Sequence, residues 1–506
     1  MRRREVFPVM AGFTIWAAGL PSRTDAAPAA APAFQSEVVR QLARDLARKP
    51  YQPPDKALPD ELNNLTYSQY QMLRFNKNQA LWHDYGARFK VEFFHRGYIF
   101  KDRVTISQVV DGKAIPVAYS ADMFTVDKLP SIPKGDLGFA GFRVHFPLNR
   151  PDYFDEVCTF LGASYFRALA KGQGYGQSAR GLSIKTGDPG GEEFPVFKQF
   201  WLERPAKDSN VLVIHALLDG PSAAAAFRFT LRPGDETVMD TQLALYPRVD
   251  LAHAGLAPMT SMFLFDANNR TGYDDYRAAV HDTNGLGMLR GTGERIWRTL
   301  NNPHRLQISV FDDAGTRGFG LEQRKRMFAD FEDIEAAYQH RPSLWMESIG
   351  DWGQGAVTLV EIPSDREVND NIVAFWRPAD ALAKGGEYIY AYRLHWCWDP
   401  PPLGTPLAKV TQTRVGLTFD HKDRQFVVDF AGPPLKALPA GQTPDIDLGA
   451  DKGKVQNATL ERVPDDSAWR LAFQLVTGGE SAIELRARLT AAGKPLSETW
   501  LYRWTA

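Results

Sequence analysis

Asp282 and Asp370 are the two carboxyl groups whose settings in this sequence suit proton chemistry. Asp370 stands in "EVNDNIVAFW", three residues after Glu367 and just before the apolar run Ile372-Val373-Ala374-Phe375-Trp376. Asp282 follows His281 in "AVHDTNGLGM", at the start of a Gly-rich loop. A carboxyl at the edge of a core loses hydration; its charged form is disfavoured and a proton stays available. Glycosidic cleavage needs one such acid for the leaving oxygen and a second carboxylate to activate water. Asn and Asp also cap ordinary strand-end turns, so residue type alone leaves both roles open.

Aromatic residues beside fork-like donors recur around these two loops. They are "LWHDY" with Trp82, "FLGASYFRA" with Tyr165 and Arg167, "YGQSARG" with Arg180, "RPSLW" with Arg341 and Trp345, and "DWGQG" with Trp352. Trp376 closes the apolar run after Asp370 and is expected in the floor of a groove. Ring faces stack on sugar C–H faces, and guanidinium groups grip hydroxyls, so these residues suit a neutral, hydroxyl-rich chain. Core packing is the competing role for any Trp, and it is the expected one for Trp297, Trp396 and Trp500.

Other chemistries lack their signatures. "GLGMLRGTG" spaces its glycines wrongly for a dinucleotide loop, and "DANNRTGYDD" has Arg270 where a calcium ligand belongs. The sequence holds no HExxH, no paired-cysteine zinc spacing and no G-x-S-x-G elbow. No cofactor or metal is expected. A formal net charge of −1 over 506 residues argues against nucleic acid as partner. The two cysteines, Cys158 and Cys397, read as separate buried thiols.

The elements that must position these side chains are mostly strands. "RFKVEFF" alternates, "AFRFTLRPGDETVMDTQLAL" is a hairpin, and "EYIYAYRLHWCW" places Tyr388, Tyr390, Tyr392, Leu394 and Trp396 on one side. Helices are predicted at "SEVVRQLARDLARK", with Val38, Leu42 and Leu46 on its buried face, at "PDELNNLTYSQYQMLRF", and at "FADFEDIEAAYQHR". "DPPPLGTP" marks a linker. The expected order is a targeting segment and spacer over 1–33, an antiparallel β-sandwich over 34–398, a linker over 399–411, and a small immunoglobulin-like sandwich over 412–506. The start "MRRREVF" followed by an apolar stretch too short to span a bilayer reads as a twin-arginine export signal, which sends the chain to a periplasm. No later segment is apolar enough to span.

Long strings, among them "GDLGFAGFRV", "EEFPVFKQFW", "APMTSMF", "RTLNNPHRLQ", "GFGLEQRKRMFADFED", "WGQGAVTLVEIP" and "SETWLYRW", resemble the periplasmic glucans biosynthesis protein D/G family over essentially the whole mature chain. The arginine start points to the D branch. The resemblance implies a mutarotase-like β-sandwich followed by an immunoglobulin-like one. It implies a role in osmoregulated periplasmic glucan synthesis and metal-free, anomer-inverting cleavage of β-1,2-glucan. On its motifs Asp370 is implied as general acid and Asp282 as the base-side carboxylate, with Glu367 and Tyr338 in a proton relay. Inverting enzymes separate their carboxyls by roughly 6.5–9.5 Å, a span that a relay lengthens.

The chain departs from the family pattern at Asn284, which cannot serve as a base, and at Asn369 before the acid. Hydrolysis and transglycosylation therefore both stay open. So does a non-catalytic role, binding glucan beside a membrane glucan synthase, and so does sugar epimerisation. Within the pair, Asp370 is expected neutral, and Asp282, in a more polar setting, is expected ionised.

Overall fold

The computed structural model describes residues 33–126, 132–133, 135–402, 404–439 and 441–506; the arginine-led start lies outside them. The described chain is mostly β, as expected, with 47% strand and 8% helix. Two large sheets carry it. A 10-stranded sheet runs Lys90–His95, Phe139–Phe146, Asp155–Leu161, Tyr165–Ala168, Ser178–Arg180, Ala254–Ser261, Ile372–Pro378, Gln354–Glu361 and Gln307–Ala314, with Ser183–Ile184 attached to the side. A 15-stranded sheet faces it, and the hairpin Ala223–Arg232/Thr237–Pro247 lies near its middle. Between them a continuous core holds Phe142, Phe160, Phe166, Phe229, Trp376 and Trp396.

Trp297, Trp396 and Trp500 are core residues, at most 2% exposed, and both cysteines are buried free thiols. Trp376 is equally enclosed, at 0% exposed, and meets Trp352 edge-on at 6.4 Å. It is part of the packing and not a groove floor. Trp376→Ala is therefore expected to cost about 3–5 kcal/mol of stability through the cavity it leaves, measured as a fall in the chemical-unfolding midpoint.

Two helix expectations need correction. Over Ser36–Ala47 the helix buries Val39 and Ala43, while Val38 and Leu42 are exposed. A shift of one residue turns a helix by about 100°. The small Ala43 then lets the helix lie close against Ala224 and Ala226 of the sheet. The stretch 328–341 is not a helix but turns around two short 3₁₀ pieces, Phe328–Asp330 and Tyr338–His340. Asp330 accepts the N–H of Met327 at 2.9 Å and Asp333 that of Ala336 at 2.8 Å, while Glu332 and Ala337 take positive φ. Short acidic side chains that bond nearby backbone compete with helix in this way. The second region forms two four-residue helices, Asp60–Asn63 and Tyr67–Tyr70.

The C-terminal strands Lys409–Leu417, Arg424–Ala431, Trp469–Val476 and Lys454–Arg462 form a separate four-stranded sheet. Opposite it lie Asp445–Ala450, Ala482–Ala491 and Thr499–Thr505, around a core with Phe426, Phe473 and Trp500. Thr499–Thr505 pairs in parallel with Arg295–Thr299, and Trp297 joins the C-terminal core. We propose 34–398 and 412–506 as the two domains; one sheet then runs across that boundary, which no pattern in the linker foretold.

Candidate active site

The Ala254–Ser261 strand is the common edge on which the two acids meet. Its Thr260 and Ser261 pair with Val373 and Ile372, so the loop ending at Asp370 arrives beside it. Asn371 fixes that arrival. Its amide accepts the N–H of Phe263 at 2.8 Å and donates to the carbonyls of Phe263 at 2.9 Å and Ile362 at 3.0 Å. On the other loop the Asp282 N–H donates to the Met262 carbonyl at 2.9 Å, and the hydroxyls of Ser261 and Thr283 meet at 2.7 Å. Both acids thus hang from consecutive residues of one chain segment, 260–262.

Asp370 opens into a cavity of ≈ 560 Å³, lined also by Tyr165, Arg167, Phe94, Phe100 and Glu156. Enclosure by the groove walls raises the Asp370 pKa, against the opposing pull of Arg167, whose guanidinium stands 3.8 Å away, and of the Thr260 hydroxyl at 3.5 Å. A third of the side chain still meets solvent at the groove mouth and screens the effect, so the direction is what counts. Arg167 is itself aimed by Ser178, which accepts from its Nε at 2.6 Å.

Asp282 is the more deeply set of the two, with 12% of its side chain exposed. Burial pushes its pKa up to about 6; Arg341, at 3.5 Å, opposes the rise, and the charges of Asp370 and Glu367 add to it. The expectation of a more polar setting for Asp282 is therefore corrected: protein has replaced its water and pushes its pKa up to about 6, above which it is ionised. His281 does not assist it. The His281 ring is fully buried, stacks on Phe263, and faces Gln323 and Asp266, and burial lowers its pKa.

Glu367 and Tyr338 also come to the site. The Tyr338 hydroxyl donates to Glu367 at 3.3 Å, and its ring lies under Arg341 at 5.5 Å. Burial, then the charges of Glu367 and Asp282, push the Tyr338 pKa upward and keep the phenol protonated. Arg277, unmarked by any sequence motif, ties this corner together. It binds Glu367 at 2.8 Å, Asp275 at 2.8 Å and Asp333 at 2.9 Å, joining three loops. Thr260, Asn371 and Arg277 were missed because their partners lie far away in sequence.

The substrate-contact expectations divide. Tyr165 and Arg167 line the groove, and Arg341 reaches Asp282. Arg180 is buried beneath Tyr165, paired with Glu192 at 2.6 Å, and can only position the ring above it. Trp82, Trp345 and Trp352 are 5–6% exposed. Trp82 donates to Gln108, Trp352 donates to the Ala391 carbonyl, and Trp345 packs over Gly318 and Gly320. With Trp376 they are corrected to packing residues, since a covered ring offers no face to a sugar. Asn284 is structural: its Oδ1 accepts the N–H of Arg324 at 3.1 Å.

Comparison with known proteins shows the family. The family described as "Periplasmic glucan biosynthesis protein, MdoG" matches residues 34–504. A protein named Glucans biosynthesis protein G from Rhodopseudomonas palustris (strain BisA53) is 51% identical over the full length of both chains. One of the same name from Bradyrhizobium diazoefficiens is 51% identical over 97% of each. Another from Vibrio cholerae is 45% identical over 93% of this chain and 87% of its own. These relatives carry the G name, so the D-branch assignment drawn from the arginine start has no support among them. The chain belongs to the MdoG family of periplasmic glucan biosynthesis proteins.

Proposed function

We propose that this protein acts in periplasmic glucan synthesis by cleaving linear β-1,2-glucan with inversion at the anomeric carbon. The observation that carries the reading is the convergence of two burial-raised carboxyls, Asp370 and Asp282, on one edge beside an open groove with Tyr165 and Arg167. Asp370, whose pKa is raised by its enclosure, is the acid that protonates the departing glycosidic oxygen. Asp282, ionised above about pH 6, is a stronger base than an exposed aspartate and takes the proton of the attacking water. The protonated Tyr338 phenol, bonded to Glu367, supplies a hydroxyl through which that proton can pass when the water stands farther off. Arg341 offsets the charge that Asp282 carries before the step.

Export to the periplasm fits a substrate of this kind; among the described residues no helix is long and apolar enough to cross a membrane. The second reading, a non-catalytic glucan-binding factor working beside a membrane glucan synthase, draws on the same groove, because Tyr165 and Arg167 can grip a sugar without either acid. Incubating the purified protein with linear β-1,2-glucan separates the two. Chain shortening, with new reducing ends released first as the α-anomer by NMR, is the expected result. Unchanged chain length with measurable binding would favour the scaffold.

A further inference from the structure

A second cavity, of ≈ 570 Å³, lies where the C-terminal residues 502–506 meet segments 268–273, 301–304 and 363–365. Its volume falls among ordinary ligand sites, roughly 300–1,000 Å³. Four amides line it: Asn268, Asn269, Asn301 and Asn302. An amide donates and accepts, as a sugar hydroxyl does. Much of this set is held rigid. Asn268 donates to the Leu300 carbonyl and to Asn301, and the Asn302 Nδ2, with two hydrogens to share, lies within hydrogen-bond reach of the Leu264 and Ser364 carbonyls and the Tyr273 hydroxyl. Yet among the described residues the buried Asn268 Oδ1 and Asn269 Nδ2 have no hydrogen-bond partner, although buried polar atoms ordinarily find one.

The wall carries little net charge to select an ion. Arg503 is paired with Glu484 at 3.2 Å, and Arg424 shares the lining with Asp365. The cavity also touches the loop that delivers the acid. Ser364 is held both ways by Asn302, at 3.0 and 2.7 Å, and accepts from Asn369, the residue before Asp370, at 3.2 Å.

We propose that this seam is a second saccharide site, which holds a distant stretch of the same neutral glucan chain whose other stretch fills the Asp370 groove. The proposal rests on the glucan-cleavage reading for its ligand. Two binding stretches on one chain raise its effective affinity beyond either alone. The seam also explains why one loop carries an amide-pinned serine on one side and the acid on the other.

The test uses the full protein with linear β-1,2-glucans of about twenty and about five glucose units, a long chain able to bridge two sites and a short one able to fill one. Thr271→Trp adds bulk at an exposed lining position, and Arg424→Ala removes a long lining side chain. The wild type is expected to show a KM roughly ten-fold lower for the long chain, and both variants are expected to lose that advantage. Short-chain kcat and KM should stay unchanged in both. Equal KM for the two lengths in the wild type, or a long-chain advantage kept by either variant whose unfolding matches the wild type, overturns the seam site while cleavage itself stands. A wild type that neither binds nor cleaves either chain overturns the glucan reading and this proposal with it.

Discussion

Asp370→Asn is expected to lower kcat on linear β-1,2-glucan by about a thousand-fold or more, the scale of a lost general acid, with no fall in the unfolding temperature. The amide keeps the shape of the side chain, and Asn371 still fixes the loop through its three backbone hydrogen bonds. What disappears is the transferable proton. A substrate whose leaving group departs without protonation, such as a glucosyl fluoride built on β-1,2-linked glucose, should therefore be turned over nearly as fast by the variant as by the wild type. Comparing the two substrates separates a lost acid from a damaged groove. If the variant cleaves the natural chain at the wild-type rate, Asp370 is not the acid.

Asp282→Asn should move stability and activity in opposite directions. In the wild type the native carboxyl holds its proton more tightly than the unfolded one, with a pKa near 6 against 3.8. Its contribution to stability is thus fully present below 3.8 and is lost as pH rises through 6. A rise of this size corresponds to about 3 kcal/mol. The substitution leaves Arg341 without its carboxylate and returns part of this, so a net gain of about 1–2 kcal/mol is expected near neutral pH and little near pH 4. Activity should fall by at least about a hundred-fold on both the natural and the fluoride substrate, because the water loses its base in either case. In the wild type kcat/KM should rise with pH through about 6 as Asp282 ionises, and in the variant that limb should vanish. Unfolding measured at both pH values and a pH–rate profile check these outcomes; an acid limb that survives in the variant would assign the base to another group.

The strands were legible because their spacing carries the signal. Trp469, Leu471, Phe473 and Leu475 alternate with the smaller or polar Arg470, Ala472 and Gln474, and in the fold each of the four faces the C-terminal core. The recess of Asp370 was legible for a related reason: a carboxyl two residues before a run of five apolar residues is brought to the rim of whatever they bury. The aromatic residues misled. Trp82, Trp345 and Trp352 stand near polar residues in the chain and Trp376 ends an apolar run, yet covering elements come from elsewhere and close over each ring. The turn-rich 328–341 stretch misled too, because Asp330 and Asp333 spend their oxygens on local backbone.

The sequence by itself determined that this is a β protein with a carboxyl at a strand entry, because period-two alternation and desolvation at a core edge are local properties. Only the tertiary structure decided that Asp282 is buried enough to titrate near 6, that Arg277 locks three loops, and that Thr499–Thr505 joins the C-terminal sheet to the body. Burial, field and long-range pairing depend on which distant segments close over a residue, and no local pattern encodes its own cover.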